Sequence, residues 1–331
     1  MEYRPEVLAD LDRRVAAALP QWGLSPRTAV SLLNLSENAT YRLDDPEEGR
    51  SLILRVHRIG YRTAGEIESE LAWIAALREH GAVTTPPPVP GRDGNLLRVL
   101  PASAAGPARH AVAFAFAGGK EPDKADDLVA WFHTLGAVTA RMHAHVRAWP
   151  VPAGFRRQHW DFAAMFGPEP VWGPWQAGFG LDAPGAAVLG RALDLIRRRT
   201  ERFGRGPDRY ALVHADLRLA NLLVDGDRLT VIDFDDCGFS WLVYDFAAAV
   251  SFMEDDPIVP ALADAWVAGY RTVLPLAEED AAEIPVFLMM RRILLVGWLA
   301  SHAEVPIAGE LGASYTAGAV AMAERLLSDF A

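Results

Sequence analysis

The sequence predicts an α+β protein in two parts: a small lobe of antiparallel sheet plus helix over residues 1–117, and a larger, mostly helical lobe over 118–331. Three observations carry this expectation. At 331 residues the chain exceeds the usual single-domain size. Up to the pair Gly118-Gly119 its apolar residues fall mainly in short strand-like runs around one helix, whereas beyond that pair they follow helical spacing. One stretch of the second part, 210–236, reverts to short apolar strands.

In chain order, Val7, Leu8, Leu11, Val15 and Leu19 mark an amphipathic helix over residues 5–19. Residues 28–35, 39–43 and 51–57 are short and branched, separated by polar turns such as DDPEEG, and read as an antiparallel meander. Residues 64–80 form a helix with Ile67, Leu71, Ile74 and Leu77 on one face and Gly81 as its stop. After a Pro-rich turn at 86–90, residues 95–100 and 110–116 are strands. Gly118-Gly119 is a hinge. Residues 126–146 form a helix carrying Leu128, Phe132, Leu135, Val138 and Met142, and 150–185 is an irregular insertion rich in Pro, Gly and Trp. Helices follow at 191–203, 258–274, 278–303 and 310–330, punctuated by Pro257, Pro275 and Pro306. Within 210–236, YALVH, NLLV and LTVID surround the polar turn DGD and place Asn221 and Asp233 at opposite ends of a hairpin.

Composition excludes several classes. A hydrophobic content of 51% excludes a disordered chain. The start MEYRPEVLADL carries acidic residues where a secretory signal has a basic end and an apolar run, and no stretch reaches about 18 uninterrupted apolar residues. The single cysteine, Cys237, excludes an internal disulfide framework and a multi-cysteine zinc site, which suits a reducing cytoplasm. No internal repeat suggests an array. Residues 1–120 hold 14 acidic and 14 basic side chains, so the net charge of −11 falls on the remainder. That field disfavours nucleic acid and favours a cationic substrate, or serves solubility alone. The expected protein is a cytoplasmic monomer or homodimer with no membrane partner.

Chemistry concentrates in HADLRLANLLVDGDRLTVIDFDD, residues 214–236. Phosphoryl transfer needs a group that orients the attacking hydroxyl and accepts its proton, and an amide and a carboxylate that hold Mg²⁺ against nucleotide phosphates. Asp216 stands five residues before Asn221, close enough for one tight loop, and the hairpin returns the chain to Asp233. Taken singly, such residues cap backbone groups. Their order, spacing and flanking strands together point to a catalytic centre.

The pattern His-x-Asp-x-x-x-x-Asn…Asp-Phe resembles the aminoglycoside phosphotransferase and choline kinase group, distant relatives of protein kinases, over roughly residues 28–330 and most sharply over 214–250. The resemblance implies a bilobal, protein-kinase-like fold with ATP and Mg²⁺. Asp216 is then the base, Asn221 and Asp233 are the metal ligands, and His214 is a brace or a core histidine. Asp245, in WLVYDFAAAV, matches a buried aspartate that steadies the catalytic loop. Three features depart from the group. Ala215 replaces a usual glycine, a mild change unless the position needs positive φ. Arg218 stands where histidine is common, as a residue to bind a phosphate oxygen or to pair with Asp235 or Asp236, and Asp233-Phe234 continues as Asp235-Asp236.

For the nucleotide grip, the resemblance implies a basic residue on the third strand paired with a glutamate on the next helix. The only lysines are Lys120 and Lys124, so Arg55, in LILRVHR, takes that place, with Glu70 as partner and Glu66 and Glu68 as alternatives. A surface salt bridge is the other reading. The phosphate loop is residues 34–40, NLSENAT, where Ser36 and Asn38 stand in for absent glycines, and adenine is expected near residues 114–117. Trp160, Trp172, Trp175, Trp241 and Trp298, with Glu254-Asp255-Asp256, are either a cation pocket or core, and Met289-Met290 with Leu294-Leu295 read as helix packing. The implied activity moves the γ-phosphate of ATP to a hydroxyl of a small metabolite, whether amino alcohol, homoserine-like compound, aminoglycoside or sugar. A protein Ser/Thr kinase and a nucleotide-binding pseudoenzyme or regulatory module are the alternatives.

Overall fold

The computed structural model describes residues 5–123 and 125–330. Two compact units make up the chain: Met1–Arg78, Thr85–Gly118 and Pro152–Arg156 form one, and Glu79–Thr84, Gly119–Val151 and Arg157–Ala331 the other.

The first unit begins with α1 (Pro5–Ala18) and a 3-10 turn at Leu19–Trp22. β1 (Ala29–Leu35), β2 (Ala39–Asp45) and β3 (Arg50–Val56) form the expected antiparallel meander. α2 (Ala64–Glu79) opens with a capping box. The Glu66 carboxylate accepts the Thr63 N–H at 2.8 Å, and the Thr63 hydroxyl accepts the Glu66 N–H at 3.3 Å. β4 (Pro88–Val89), β5 (Leu97–Leu100) and β6 (Arg109–Ala115) complete a six-stranded sheet of order β1-β2-β3-β6-β4, with β5 also on β6. The Pro-rich stretch at 86–90 therefore contributes a short edge strand, a position where proline's missing N–H costs no ladder bond.

Strand alternation decides which side chains meet in this unit. Leu52, Leu54 and Val56 pack with Leu11, Val15 and Trp22. Arg55 points the opposite way. Its cross-strand partner on β6 is Val112, which packs on Ile67 and Leu71 of α2, so Arg55 faces α2.

The second unit is mainly helical. Its helices are α3 (Leu128–Ala148), α4 (Phe162–Phe166), α5 (Ala183–Phe203), α6 (Tyr244–Ala249), α7 (Val259–Arg271), α8 (Glu278–Ala281), α9 (Ile284–Ser301) and α10 (Pro306–Asp329). Between α5 and α6 lie β7 (Tyr210–Val213), β8 (Leu222–Asp225), β9 (Arg228–Val231) and β10 (Gly238–Trp241), paired antiparallel as β7–β10 and β8–β9. α3 and α7 cross at Gly136 and Gly269. A Cβ on either would overlap the Trp266 or His133 carbonyl of the facing helix.

Several boundaries differ from expectation. The 150–185 segment contains α4 and a 3-10 turn at Trp175–Ala177. α5 starts at Ala183 rather than 191, because the Asp182 carboxylate accepts the Gly185 N–H and caps the helix there. β10 was not legible: Gly-Phe-Ser-Trp has no strand signature, and its pairing with β7 makes it a strand. The 278–303 helix is two, parted before Pro285, and α10 starts at Pro306 with a kink at Gly312, φ 40°. Segment Glu278–Ser301 is long and apolar enough to cross a membrane, but 83% of its most apolar window is buried inside the protein. It is a core helix, packed against α5, α6 and α10.

Candidate active site

The loop after β7 is built around Asp245, at the start of α6. Asp245 Oδ1 accepts the Ala215 N–H at 2.7 Å, and Oδ2 accepts the His214 N–H at 3.3 Å. Oδ2 also lies 3.0 Å from His143 Nε2, whose other ring nitrogen is 3.0 Å from the Tyr270 hydroxyl. A carboxylate only accepts, so the His143 Nε2–H donates to Asp245, and burial keeps the Tyr270 hydroxyl protonated by pushing its pKa up. Asp245 and His143 are wholly buried.

Ala215 has φ 65°, the left-handed region. The alanine is therefore not a mild exchange for glycine, because its Cβ strains this conformation. His214 beside it is a brace. Its Nε2–H donates to the Ile232 carbonyl at 3.2 Å, and Nδ1 lies 3.3 Å from the Asp216 N–H. Burial pushes the His214 pKa down, outweighing the carboxylates of Asp245, Asp216 and Asp233, so the ring stays neutral and both hydrogen bonds hold.

Asp216 and Asn221 meet directly. A 3-10 turn at Leu219–Asn221 brings the Asn221 Nδ2 to 2.6 Å from Asp216 Oδ2 and 2.8 Å from the Asp216 carbonyl. Only the amide nitrogen can donate there, which leaves the side-chain oxygen Oδ1 of Asn221 as the group available to a cation. The β8–β9 hairpin returns Ile232 to donate its N–H to the Asn221 carbonyl at 2.9 Å, and Asp233 follows at once, exposed and at φ 59°, a conformation that aspartate tolerates. Asp233 Oδ1 also accepts the Asp235 N–H at 3.4 Å. The next residues are clamped from outside, since Arg157 Nε donates to the Cys237 carbonyl and Trp160 Nε1 to the Asp236 carbonyl, both at 2.6 Å.

Two cations grip Asp216. Arg218 Nε lies 3.3 Å from Oδ2, a partner the sequence reading did not name. Arg291, from the middle of α9, places Nη2 2.9 Å from Oδ1, and it was missed altogether because α9 read as packing. The available signal was a pair of arginines, Arg291-Arg292, inside an otherwise apolar helix: a buried cation needs a carboxylate.

In the first unit, Arg55 Nη2 donates to both Glu70 oxygens, at 2.7 and 2.6 Å, with side chains 6% and 0% exposed. This is a buried ion pair, not a surface bridge. Glu66 serves the capping box and Glu68 is exposed. Ser36 donates its backbone N–H to the Asn38 carbonyl at 3.1 Å, and the buried Asn38 accepts the Arg58 N–H through Oδ1 at 3.2 Å, so this loop is stiffened internally. The amides of Ala115 and Phe116, in the stretch expected to meet adenine, bond Pro87 and Ser51.

Of the two readings of the aromatic and acidic residues, cation pocket or core, core holds for four of the five tryptophans, while Trp175 is half-buried. Trp160, Trp172 and Trp241 are at most 3% exposed, and Trp298 is 7% exposed. Glu254 is buried and bound to Arg292 Nη1 at 2.9 Å and the Tyr315 hydroxyl at 2.7 Å, while Asp255 pairs with the same arginine at 3.3 Å.

Among the described residues no three His, Cys, Asp or Glu side chains form a metal cage. Hard oxygen donors from Asn221 and Asp233 fit a divalent cation whose remaining ligands come from elsewhere.

The chain is similar to a microcompartment-associated aminopropanol kinase of known structure, with 47% identity, a TM-score of 0.87, and coverage of 95% of this chain and 97% of that one. It is 26% identical to amicoumacin kinase of Bacillus subtilis (strain 168), over 89% of this chain and 87% of that protein. It is 29% identical to a homoserine kinase of Granulibacter bethesdensis (strain ATCC BAA-1260 / CGDNIH1), over 83% and 81%. The fold is of the protein-kinase-like α+β class. With residues 29–282 matching its sequence pattern, the chain belongs to the phosphotransferase enzyme family.

Proposed function

We propose that the protein transfers the γ-phosphate of ATP to the hydroxyl of a short amino alcohol of the aminopropanol kind. The single observation that carries phosphoryl transfer is the Asp216–Asn221 contact at 2.6 Å, with Asp233 returned beside it by the β8–β9 hairpin. One half-buried carboxylate is fixed in place, and an amide oxygen and an exposed carboxylate, both hard donors, follow it in the order that suits a metal. The amino alcohol acceptor rests on the 47% identity to an aminopropanol kinase, and the acidic second part of the chain suits an acceptor carrying an ammonium group.

In this reading Asp216 aligns the acceptor hydroxyl and takes its proton as transfer proceeds. Its three donors, Asn221, Arg218 and Arg291, hold the carboxylate in one orientation, so the base does not search for its geometry. His214 and Asp245 fix the backbone on which it stands. Asn221 and Asp233 would hold Mg²⁺, which when bound supplies charge neutralisation for the nucleotide phosphates. Arg55, fixed by Glu70, would supply positive charge to the nucleotide phosphates, and Ser36 and Asn38 would shape the phosphate loop.

A panel of hydroxyl acceptors, namely aminopropanol, ethanolamine, homoserine, an aminoglycoside and a Ser/Thr peptide, tests the reading by ADP release with ATP and Mg²⁺. The expected outcome is turnover with the amino alcohols, abolished in Asp216→Ala. Release confined to the peptide, or no release above that variant, overturns it.

A further inference from the structure

We propose that Arg291 is a positioning residue for phosphoryl transfer, locking the Asp216 carboxylate in its working orientation from the interior of α9; this rests on the reading of Asp216 as the catalytic base.

Each arm of the guanidinium has a separate task. Nη2 donates to Asp216 Oδ1 at 2.9 Å, Nε to the Ser251 hydroxyl at 2.9 Å, and Nη1 to the Tyr244 hydroxyl at 3.1 Å and the Ala215 carbonyl at 3.4 Å. The carbon of the guanidinium stands 5.0 Å from the Trp172 ring centroid. The hydrogen-bond partners come from the catalytic loop, from α6 and from the turn after it, and Trp172 from the segment after α4. The side chain is 2% exposed, so water cannot replace it, and its planar fork cannot rotate without breaking several bonds at once. Asn221 and Arg218 restrain only Oδ2 of Asp216; Arg291 alone among the described contacts restrains Oδ1. Without it the carboxylate can turn about its Cβ–Cγ bond, and the oxygen facing the acceptor is no longer defined.

Arg292 next to it supplies the control. It lies on the same helix, is equally buried at 2% side-chain exposure, and is ion-paired to Glu254 and Asp255 rather than to the catalytic loop. A role confined to packing or to buried charge predicts equal consequences for the two arginines.

The test compares Arg291→Met, Arg291→Lys and Arg292→Met with the wild type, using the acceptor giving the highest wild-type turnover, below the melting point of every variant. Arg291→Met is expected to lower kcat by about 100-fold with KM for ATP within about twofold, the scale of a misplaced reacting group. Arg291→Lys returns a cation to Asp216 and is expected to recover about tenfold of that loss. Arg292→Met is expected to retain kcat within about threefold while lowering the melting temperature comparably. Equal loss of kcat in both methionine variants, or a loss in Arg291→Met carried by KM with kcat intact, overturns the positioning role. Absence of wild-type turnover with every acceptor overturns it together with the functional reading on which it stands.

Discussion

Replacing Asp245 by asparagine exchanges one oxygen for an NH₂ at nearly constant volume. Three donors converge on this carboxylate: the Ala215 N–H at 2.7 Å, the His214 N–H at 3.3 Å and His143 Nε2 at 3.0 Å. An amide accepts on one side only. If its oxygen keeps the short bond to Ala215, its NH₂ meets the His214 N–H, donor against donor. His143 escapes by moving its proton to Nδ1, toward Tyr270, but the backbone amide has no such freedom. An orphaned buried N–H costs about 1–3 kcal/mol. Loss of charge assistance in the Ala215 bond adds about 1 kcal/mol, for a total near 2–4 kcal/mol. The same bond holds Ala215 at φ 65°, a conformation unfavourable by about 1–2 kcal/mol, so the loop has reason to relax when the bond weakens. Thermal melting should fall by roughly 3–6 °C. Because Asp216 follows Ala215 directly, kcat measured well below the melt should fall roughly 10–100-fold while KM for ATP holds. A variant that melts like the wild type and keeps its kcat would show that Asp245 does not hold the loop.

Two further outcomes concern the first unit. Glu70→Ala strips a buried guanidinium of its carboxylate and should cost about 3–5 kcal/mol in urea denaturation, with a raised KM for ATP, whereas Glu70→Gln keeps an acceptor and should cost less; equal costs would contradict a buried pair. Burial alone would raise the pKa of Asp45, yet hydrogen bonds from the Ser25 and Glu47 amides and the Ser25 hydroxyl bring it down to about 2. Between that value and the ordinary 3.8 the unfolded chain binds a proton that the folded chain refuses, so this contribution is complete above 3.8 and is lost as pH falls toward 2. Asp45→Asn should therefore be less stable than wild type at neutral pH, with the gap closing through that window, and a gap independent of pH would contradict it.

The sequence by itself determined what depends on short-range geometry. Period-two runs became the meander, and α1 and α2 followed their apolar stripes. Asp216 and Asn221 were legible as a pair because five residues and one 3-10 turn bring them together, and Asp233 because a hairpin must return its chain. Tertiary structure decided the rest. Which of Glu66, Glu68 and Glu70 meets Arg55 depends on the face that α2 turns to β3, which packing of Ile67 and Leu71 on Val112 sets. That Ala215 takes positive φ depends on Asp245, thirty residues away, drawing in two consecutive amides. The acidic run at Glu254 looked available for a ligand until Arg292 consumed it. Arg291 reaches Asp216 across 75 residues of sequence, and no local pattern encodes that contact. A buried cation reveals that it must have a partner, but only packing of α9 against α6 and the loop after β7 determines which carboxylate it serves.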